Sequence, residues 1–315
     1  AQKLCAVPWH AVLRHALASV MAQDYEHLTI LVSDNCSTDG TEAFVRSVDD
    51  PRVRYIRTGA RLSMVGNWEF ALGHVQSGWV MFIGDDDGLL PGAVASLART
   101  IAGTGERAIA FKSGSYFWPK PDDMGRLTVP MTSGSSIRSC KKWLGRALEM
   151  EAGFTDLPCV YVSGIVDMDV IDDIRTRSGG KFFQSCIPDV YSGAALCSVL
   201  DTYLALDDVL AVAGTSRFTT GGSWGGETAT RSSDSGFSRF LQENDTPLHP
   251  DIRLPDDAYP PSVQMLLYEC YLQSAHLRNG ASATGHARQL ELSMADILTS
   301  SDMSKRQEWS QGFAR

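Results

Sequence analysis

Apolar residues recur along the first hundred positions with two alternating periods. Leu13, Ala16, Leu17 and Val20 follow i, i+3, i+4, i+7 spacing, which predicts an amphipathic helix. Leu28-Thr29-Ile30-Leu31-Val32 predicts a strand that stops at the polar run Ser33-Asp34-Asn35-Cys36-Ser37-Thr38-Asp39-Gly40. A short helix with Phe44, Val45 and Val48 on one face follows, then a brief strand over 53–56. Trp68, Ala71, Leu72 and Val75 form another helical stripe. It leads to Trp79-Val80-Met81-Phe82-Ile83, five apolar residues bounded by glycines, which read as a buried strand. Such alternation argues for an α/β fold with a parallel sheet covered by helices on both faces.

Beyond residue 107 the pattern is mixed. Strands are predicted over 108–111 and 159–162, with a helix between them through Trp143, Ala147 and Met150. Ser178-Gly179-Gly180 reads as a joint, and a helix is predicted from Val190 to about Leu206. Gly214–Gly226 is dense in Gly, Ser and Thr and reads as a mobile loop. After a polar, proline-bearing stretch over 244–261, two helices are expected. One runs from Ser262 to about Leu277, and the other carries Leu290, Met294, Ile297 and Leu298 on one face. They are expected to pack against the domain, with a homodimer contact or an acceptor platform as the other reading.

Composition narrows the function. With 315 residues and 43% hydrophobic content the chain can bury a sizeable core. The net charge of −9, without a basic stripe, argues against nucleic-acid binding, which rests on phosphate neutralisation. Seven scattered cysteines include no CxxC pair, so zinc-ligand spacing is absent and reduced thiols in a cytoplasmic protein are expected. No apolar stretch approaches the roughly 20 residues of a membrane-spanning helix. The chain begins at Ala1 without an initiator methionine, so a fragment or a trimmed chain is expected.

The most informative chemistry is Asp85, Asp86 and Asp87, one glycine after the predicted strand at 79–83. A strand ending there delivers three like charges to the carboxyl edge of a sheet, where open α/β folds bind ligands. Carboxylates packed this closely raise one another's pKa. A hard divalent cation, Mn2+ or Mg2+, removes that conflict by binding one or two carboxylates together with a substrate phosphate. The other reading is an acidic loop whose first aspartate caps the helix expected near Pro91.

Two sets of residues carry a resemblance. Ala16–Tyr25 and Leu31–Thr41 resemble the opening of family-two glycosyltransferases. Val65-Gly66-Asn67-Trp68-Glu69-Phe70-Ala71-Leu72 and Phe82–Gly92 are similar to that family's nucleotide-sugar site. The blocks fall in the family's order and spacing over residues 11–100, with weaker similarity to about 225.

The resemblance implies the A-type glycosyltransferase fold, a Rossmann-like α/β/α sandwich with a C-terminal helical extension. It divides the chain into a nucleotide-sugar-binding half (1–110), an acceptor-binding half (111–226) and a linker with helices (227–315). Asp34 and Asn35 stand where the family contacts the nucleotide base, with an Asx-type turn as the structural alternative. Asn35 replaces a second acidic residue common in relatives. Its oxygen can accept an imide N–H, which keeps uridine as the expected base. Asn67 and Asp85 are expected at the nucleotide-sugar, and Asp86 at both donor and metal. Asp87 is a further metal residue or a partner of that shell.

Asp189, in Phe182–Gly193, matches the family's general base, and it equally suits a helix N-cap. Asp167, Asp169, Asp172 and Asp173 are its rivals, read as surface charges. Trp118, Trp143 and Trp224 are candidates for a sugar rim or for core. The implied activity is inverting transfer from a UDP-sugar to a glycan or other hydroxyl acceptor. A lipid-linked acceptor with peripheral membrane association, in cell-surface polysaccharide biosynthesis, is among the expectations the resemblance implies. The alternatives are a non-catalytic sugar-nucleotide or glycan-binding protein and a metal-dependent phosphohydrolase. One departure stands out: the family's opening strand has no convincing counterpart in Ala1-Gln2-Lys3-Leu4-Cys5, so that strand is expected to be missing or divergent.

Overall fold

A computed structural model describes residues 9–119, 124–216, 219, 236–252, 262–278 and 285–299. The opening residues 1–5, Trp224 and most of the 214–226 loop lie outside it. Helix α1 (Trp9–Met21) buries Ala16, Leu17 and Val20 of the predicted stripe, with Val12 buried in place of the half-buried Leu13. Strand β1 (Ile30–Asp34), helix α2 (Thr41–Arg46), strand β2 (Val53–Arg57) and helix α3 (Met64–Leu72) follow in the expected order. Ser63 caps α3, its Oγ accepting a 3.0 Å bond from Gly66 N.

Strands β3 (Trp79–Val80) and β4 (Gly88–Leu89) flank the aspartate triplet. Helix α4 (Ala93–Gly103), strands β5 (Ala108–Phe117), β6 (Arg126–Thr128) and β7 (Ser135–Ser139), and helix α5 (Cys140–Leu148) come next. They are followed by β8 (Gly164–Asp167), α6 (Met168–Arg177), α7 (Pro188–Val199) and β9 (Thr202–Thr215). The chain then forms α8 (Gly236–Glu243), α9 (Val263–Gln273) and α10 (His286–Thr299).

The sheet is mixed rather than parallel. Seven strands join in the order β3-β8-β5-β9-β4, with β6 on β5 and β7 on β9; β1 and β2 form a separate parallel pair among the described residues. Parallel pairing is confined to β1–β2 and β5–β9, and the other pairs are antiparallel. Helix alternation over the first hundred residues imposes parallel pairing only where a crossover helix joins neighbouring strands. β8 and β4 instead reach β5 and β9 from the opposite direction.

Three predicted elements differ. The strand expected over 79–83 pairs only at Trp79–Val80, opposite Asp167 and Val166. The run Cys159–Val162 is a buried turn closed by Gly164 N donating to Tyr161 O, and the strand begins at Gly164. The helix from Val190 stops at Val199, and Thr202–Leu206 opens the longest strand.

One core lies under α3, α5, α6 and α7 and includes Tyr191, Phe182, Phe183 and Ile171. Met265, Leu267, Tyr268 and Tyr271 of α9 belong to that same core, so this helix packs on the domain. Leu290 of α10 packs there too, while the side chains of Met294, Ile297 and Leu298 lie outside the described residues. The six described cysteines form no disulfide. Among the described residues no helix is long and apolar enough to cross a membrane.

Candidate active site

The end of β1 presents Asp34 with its carboxylate buried. Ser37 N donates to Oδ1 at 2.7 Å and the Tyr55 hydroxyl to Oδ2 at 2.6 Å, with Arg57 Nη1 3.8 Å away. Burial alone pushes this carboxyl up. The Tyr55 and Ser37 bonds and the Arg57 charge outweigh it and hold Asp34 below its ordinary value. Tyr55, itself partly buried and facing this carboxylate, is pushed up to about 12. Asp34 therefore makes the Asx-type turn that its sequence suggests while remaining ionised.

Asn35 is committed to the chain. Its Nδ2 donates to Leu62 O at 2.8 Å and its Oδ1 accepts from Leu62 N at 2.9 Å, a two-way pair that fixes the amide's orientation. It thereby pins the loop before α3. Asn67, four residues into that helix, accepts a 2.9 Å bond from Ser33 Oγ and ties α3 to the tip of β1.

The triplet sits in a turn between β3 and β4. Asp87 is fully engaged: Gly214 N donates to Oδ1 at 2.8 Å and Gly84 N to Oδ2 at 2.6 Å, with the Tyr161 hydroxyl a further partner. Asp86 Oδ2 accepts from Ser216 N at 3.1 Å and from the Thr219 hydroxyl. Its Oδ1 accepts no hydrogen bond among the described residues. Trp118 Nε1 donates to Asp86 O at 3.0 Å, so the structure gives that tryptophan a backbone-bracing role. Burial first, then the charge of Asp86, pushes Asp85 up to about 7. The same two causes push Asp87 up to about 6 against the opposing bonds from Gly214, Tyr161 and Gly84.

Asp189 opens α7, with Pro188 at the first helical position. The N-cap residue of α7 is Ile187 rather than Asp189, and it makes no side-chain cap bond. Burial raises the Asp189 carboxyl above its ordinary value, and the N–H groups of Val190 and of Asp189 itself only partly offset that. Its rivals are surface groups. Asp167 caps α6 through a 3.1 Å bond from Asp169 N and pairs with Arg107, while Asp172 and Asp173 pair with Arg175 and Arg177. Trp143 lies against the core between Arg138 and Arg146, 3.7 and 4.5 Å from its ring centre.

Asp34, Asn35, Asn67, Asp85, Asp86, Asp87 and Asp189 all line one cavity of about 1840 Å³. Tyr161 also lines it, and its hydroxyl is pushed well up by burial first and then by the charges of Asp87, Asp86 and Asp189. The cavity also runs between β1 and the Met81–Ile83 segment, where Ile30, Val32, Met81 and Ile83 make it apolar.

The donor set fits a hard divalent cation. No cluster of three or more metal-capable side chains exists among the described residues, so such an ion would take one or two carboxylates and draw the rest from substrate and water. Asp86 Oδ1 accepts no hydrogen bond among the described residues and Asp85 takes only its own backbone N–H, and a cation would offset the burial and the Asp86 charge that raise the Asp85 carboxyl.

Sequence reading missed Tyr55, Tyr161 and Glu69. Tyr161 was hidden inside an apolar run, and Tyr55 inside a short strand. Glu69 directly follows Asn67-Trp68, so its place in that block was the available signal. Its Oε1 accepts a 2.5 Å bond from Phe183 N.

These features define an α/β protein with an acidic, ligand-sized cavity at the ends of its strands. Residues 10–150 match the Glycosyl transferase family 2 profile. The chain is 35% identical over 91 residues to the GalNAc(5)-diNAcBac-PP-undecaprenol beta-1,3-glucosyltransferase of Campylobacter jejuni, covering 28% of this chain and 29% of that protein. It is 32% identical over 76 residues to the succinoglycan biosynthesis protein ExoO of Rhizobium meliloti, covering 24% and 22%. The matched segment thus spans less than a third of either relative's length. Residues 1–349 of S. aureus TarS superpose over 98% of this chain and 76% of that one, with a TM-score of 0.53 at 13% identity. The same protein in complex with UDP aligns over 66% of this chain and 57% of that one, with a TM-score of 0.50 at 15% identity. The fold is the A-type glycosyltransferase fold with a central mixed sheet.

Proposed function

We propose that this chain is an inverting glycosyltransferase that moves a sugar from a nucleoside diphosphate donor, UDP-linked, to an acceptor hydroxyl. The observation that carries this reading is the convergence of Asp34, the Asp85–Asp87 triplet and Asp189 on one cavity. The presence of UDP in a TarS structure supports the choice of base. The names of the two curated relatives support a glycan acceptor in cell-surface polysaccharide biosynthesis, lipid-linked in one case.

In this reading Asp34, held ionised by Tyr55 and Ser37, meets the nucleoside, and Asn35 and Asn67 keep the surrounding loops in place. Asp86 and Asp85 would hold Mn2+ or Mg2+, which would supply positive charge to stabilise the departing diphosphate. Asp87 shapes the turn through Gly84 and Gly214. Asp189 takes the proton from the acceptor hydroxyl as the oxygen attacks the anomeric carbon. Burial raises its pKa, which favours it as a base over a solvated carboxylate, and it lines the same cavity as the triplet.

Release of UDP from a panel of UDP-sugars with glycan acceptors tests this. Turnover in the parent chain, lost in Asp189→Asn with UDP binding intact, is the expected result. Tight UDP binding without turnover for any donor and acceptor would favour the non-catalytic binding protein instead.

A further inference from the structure

The segment that leads into Asp189 has no regular structure of its own. Residues 182–187 are irregular, yet Phe182, Phe183, Ser185 and Cys186 are buried. Buried irregular backbone needs partners from elsewhere; here one carboxylate takes a backbone N–H of the segment and a second takes a side-chain hydroxyl. Glu69 of α3 accepts the Phe183 N–H at 2.5 Å, with Arg175 Nη2 3.7 Å from its other oxygen. Glu269 of α9 accepts the Ser185 hydroxyl at 2.5 Å on Oε2.

Glu269 is wholly buried, a costly position for a carboxylate unless it is fully hydrogen-bonded. It is well supplied: His249 N and Gln273 Nε2 donate to its Oε1 at 3.0 and 2.8 Å. Nothing in the packing of α9 demands a charge at this position, since Met265, Leu266, Tyr268 and Cys270 around it are buried in the core. A leucine there would fill the space without the desolvation cost. The carboxylate makes sense as a hydrogen-bond anchor for Ser185, four residues before Asp189.

We propose that Glu269 is a positioning residue for Asp189: α9, through Glu269 and Ser185, and α3, through Glu69 and Phe183, clamp the 182–189 segment so that the base is held at the cavity. Helix α9 is then part of the catalytic apparatus, although it contributes no group to the cavity's chemistry through Glu269. The proposal rests on Asp189 being the base, and its test separates the two claims.

The test compares Glu269→Ala, Glu269→Gln and Ser185→Ala by transfer kinetics, by UDP titration and by hydrogen exchange of the peptide spanning 182–189. A misplacement near 1 Å costs about 100-fold in rate, so Glu269→Ala is expected to lose about that much in kcat with KM for the donor and UDP affinity within about twofold. Glu269→Gln keeps the chain length and can bond Ser185 and His249, and it should recover most of the rate. Ser185→Ala, the milder change, should fall between them. Exchange in 182–189 should rise in Glu269→Ala and return towards the parent in Glu269→Gln. Unchanged exchange in a folded Glu269→Ala protein overturns the clamp, as does a rate loss matched by lost UDP affinity. If the parent chain shows no transfer at all, the base assignment fails, and the exchange comparison still decides whether Glu269 holds the segment.

Discussion

Gly214 N donates a 2.8 Å hydrogen bond to Asp87 Oδ1, joining the end of β9 to the aspartate turn across 127 positions of sequence. The approach is so close that a Cβ on Gly214 would fall 1.8 Å from Asp86 O and 2.5 Å from its carbonyl carbon. The turn that presents the triplet is therefore set against backbone rather than against adaptable side chains. Gly214→Ala must displace it. The expected outcome is a loss of about 1–3 kcal/mol in urea denaturation, typical of overpacking, together with loss of UDP binding by titration calorimetry. Full retention of UDP affinity would show that the turn's position does not matter for the ligand.

Asp87 and Asp86 should differ in kind. Both Asp87 oxygens accept backbone N–H groups, so Asp87→Asn turns one acceptor into a donor facing a donor. An unsatisfied buried group costs about 1–3 kcal/mol, and chemical denaturation should read that loss. Asp86→Asn keeps the Oδ2 contacts with Ser216 and Thr219 within reach and should be the more stable variant, with its defect in manganese-dependent UDP binding. The reverse ranking of the two in stability would contradict the roles given to them.

Asp189 predicts a pH profile. Burial raises its carboxyl above the ordinary value, so the base form appears only as pH rises past that raised value. The acid limb of kcat should lie above 3.8, the ordinary carboxyl value, and should disappear in any residual activity of Asp189→Asn. For stability the sign is opposite to that of a salt-bridged carboxylate. The folded state holds the Asp189 proton more tightly than the unfolded chain, so this group's contribution is complete below the unfolded pKa and is lost as pH rises through the folded one.

Asp34 runs the other way. Its folded pKa lies below the ordinary 3.8, so its stabilising contribution is present above that value and is lost as pH falls through the lowered one. Tyr55→Phe removes the 2.6 Å bond to Oδ2. A hydrogen bond to a charged group contributes about 1.5–3 kcal/mol, so denaturation near neutral pH should show a loss of that order. The gap between parent and variant should narrow below pH 3.8 as Asp34 takes up its proton. A gap that stays constant to the lowest pH would mean that the phenol acts by packing alone.

Where the sequence reading succeeded, local pattern and chemistry coincided. The α1 stripe, the polar stop after β1 and the three aspartates after an apolar run are features of single short windows, whereas Asn67 and Asp189 came only through the family resemblance; all seven candidate residues line one cavity. It fell short where an apolar run has no period to decide it. Helix α7 is buried on all sides, and Leu200 to Leu206 continues its apolar content, so nothing in composition marks the change from helix to strand near Asp201. Cys159–Val162 resembled a strand because it is apolar. It is buried as a turn, held by Ser192 Oγ on Val160 N. Glu69 and Glu269 were beyond local reading, since their partners Phe183 and Ser185 lie 114 and 84 positions away.

The central claim is that the aspartate triplet anchors a nucleoside diphosphate through a divalent cation. Titration of UDP into the chain with and without manganese, repeated on Asp86→Asn after its fold is verified by circular dichroism, tests it most directly. The account predicts saturable binding that needs manganese and is lost in the variant. Equal UDP affinity with and without the metal, or in the folded Asp86→Asn protein, would contradict it.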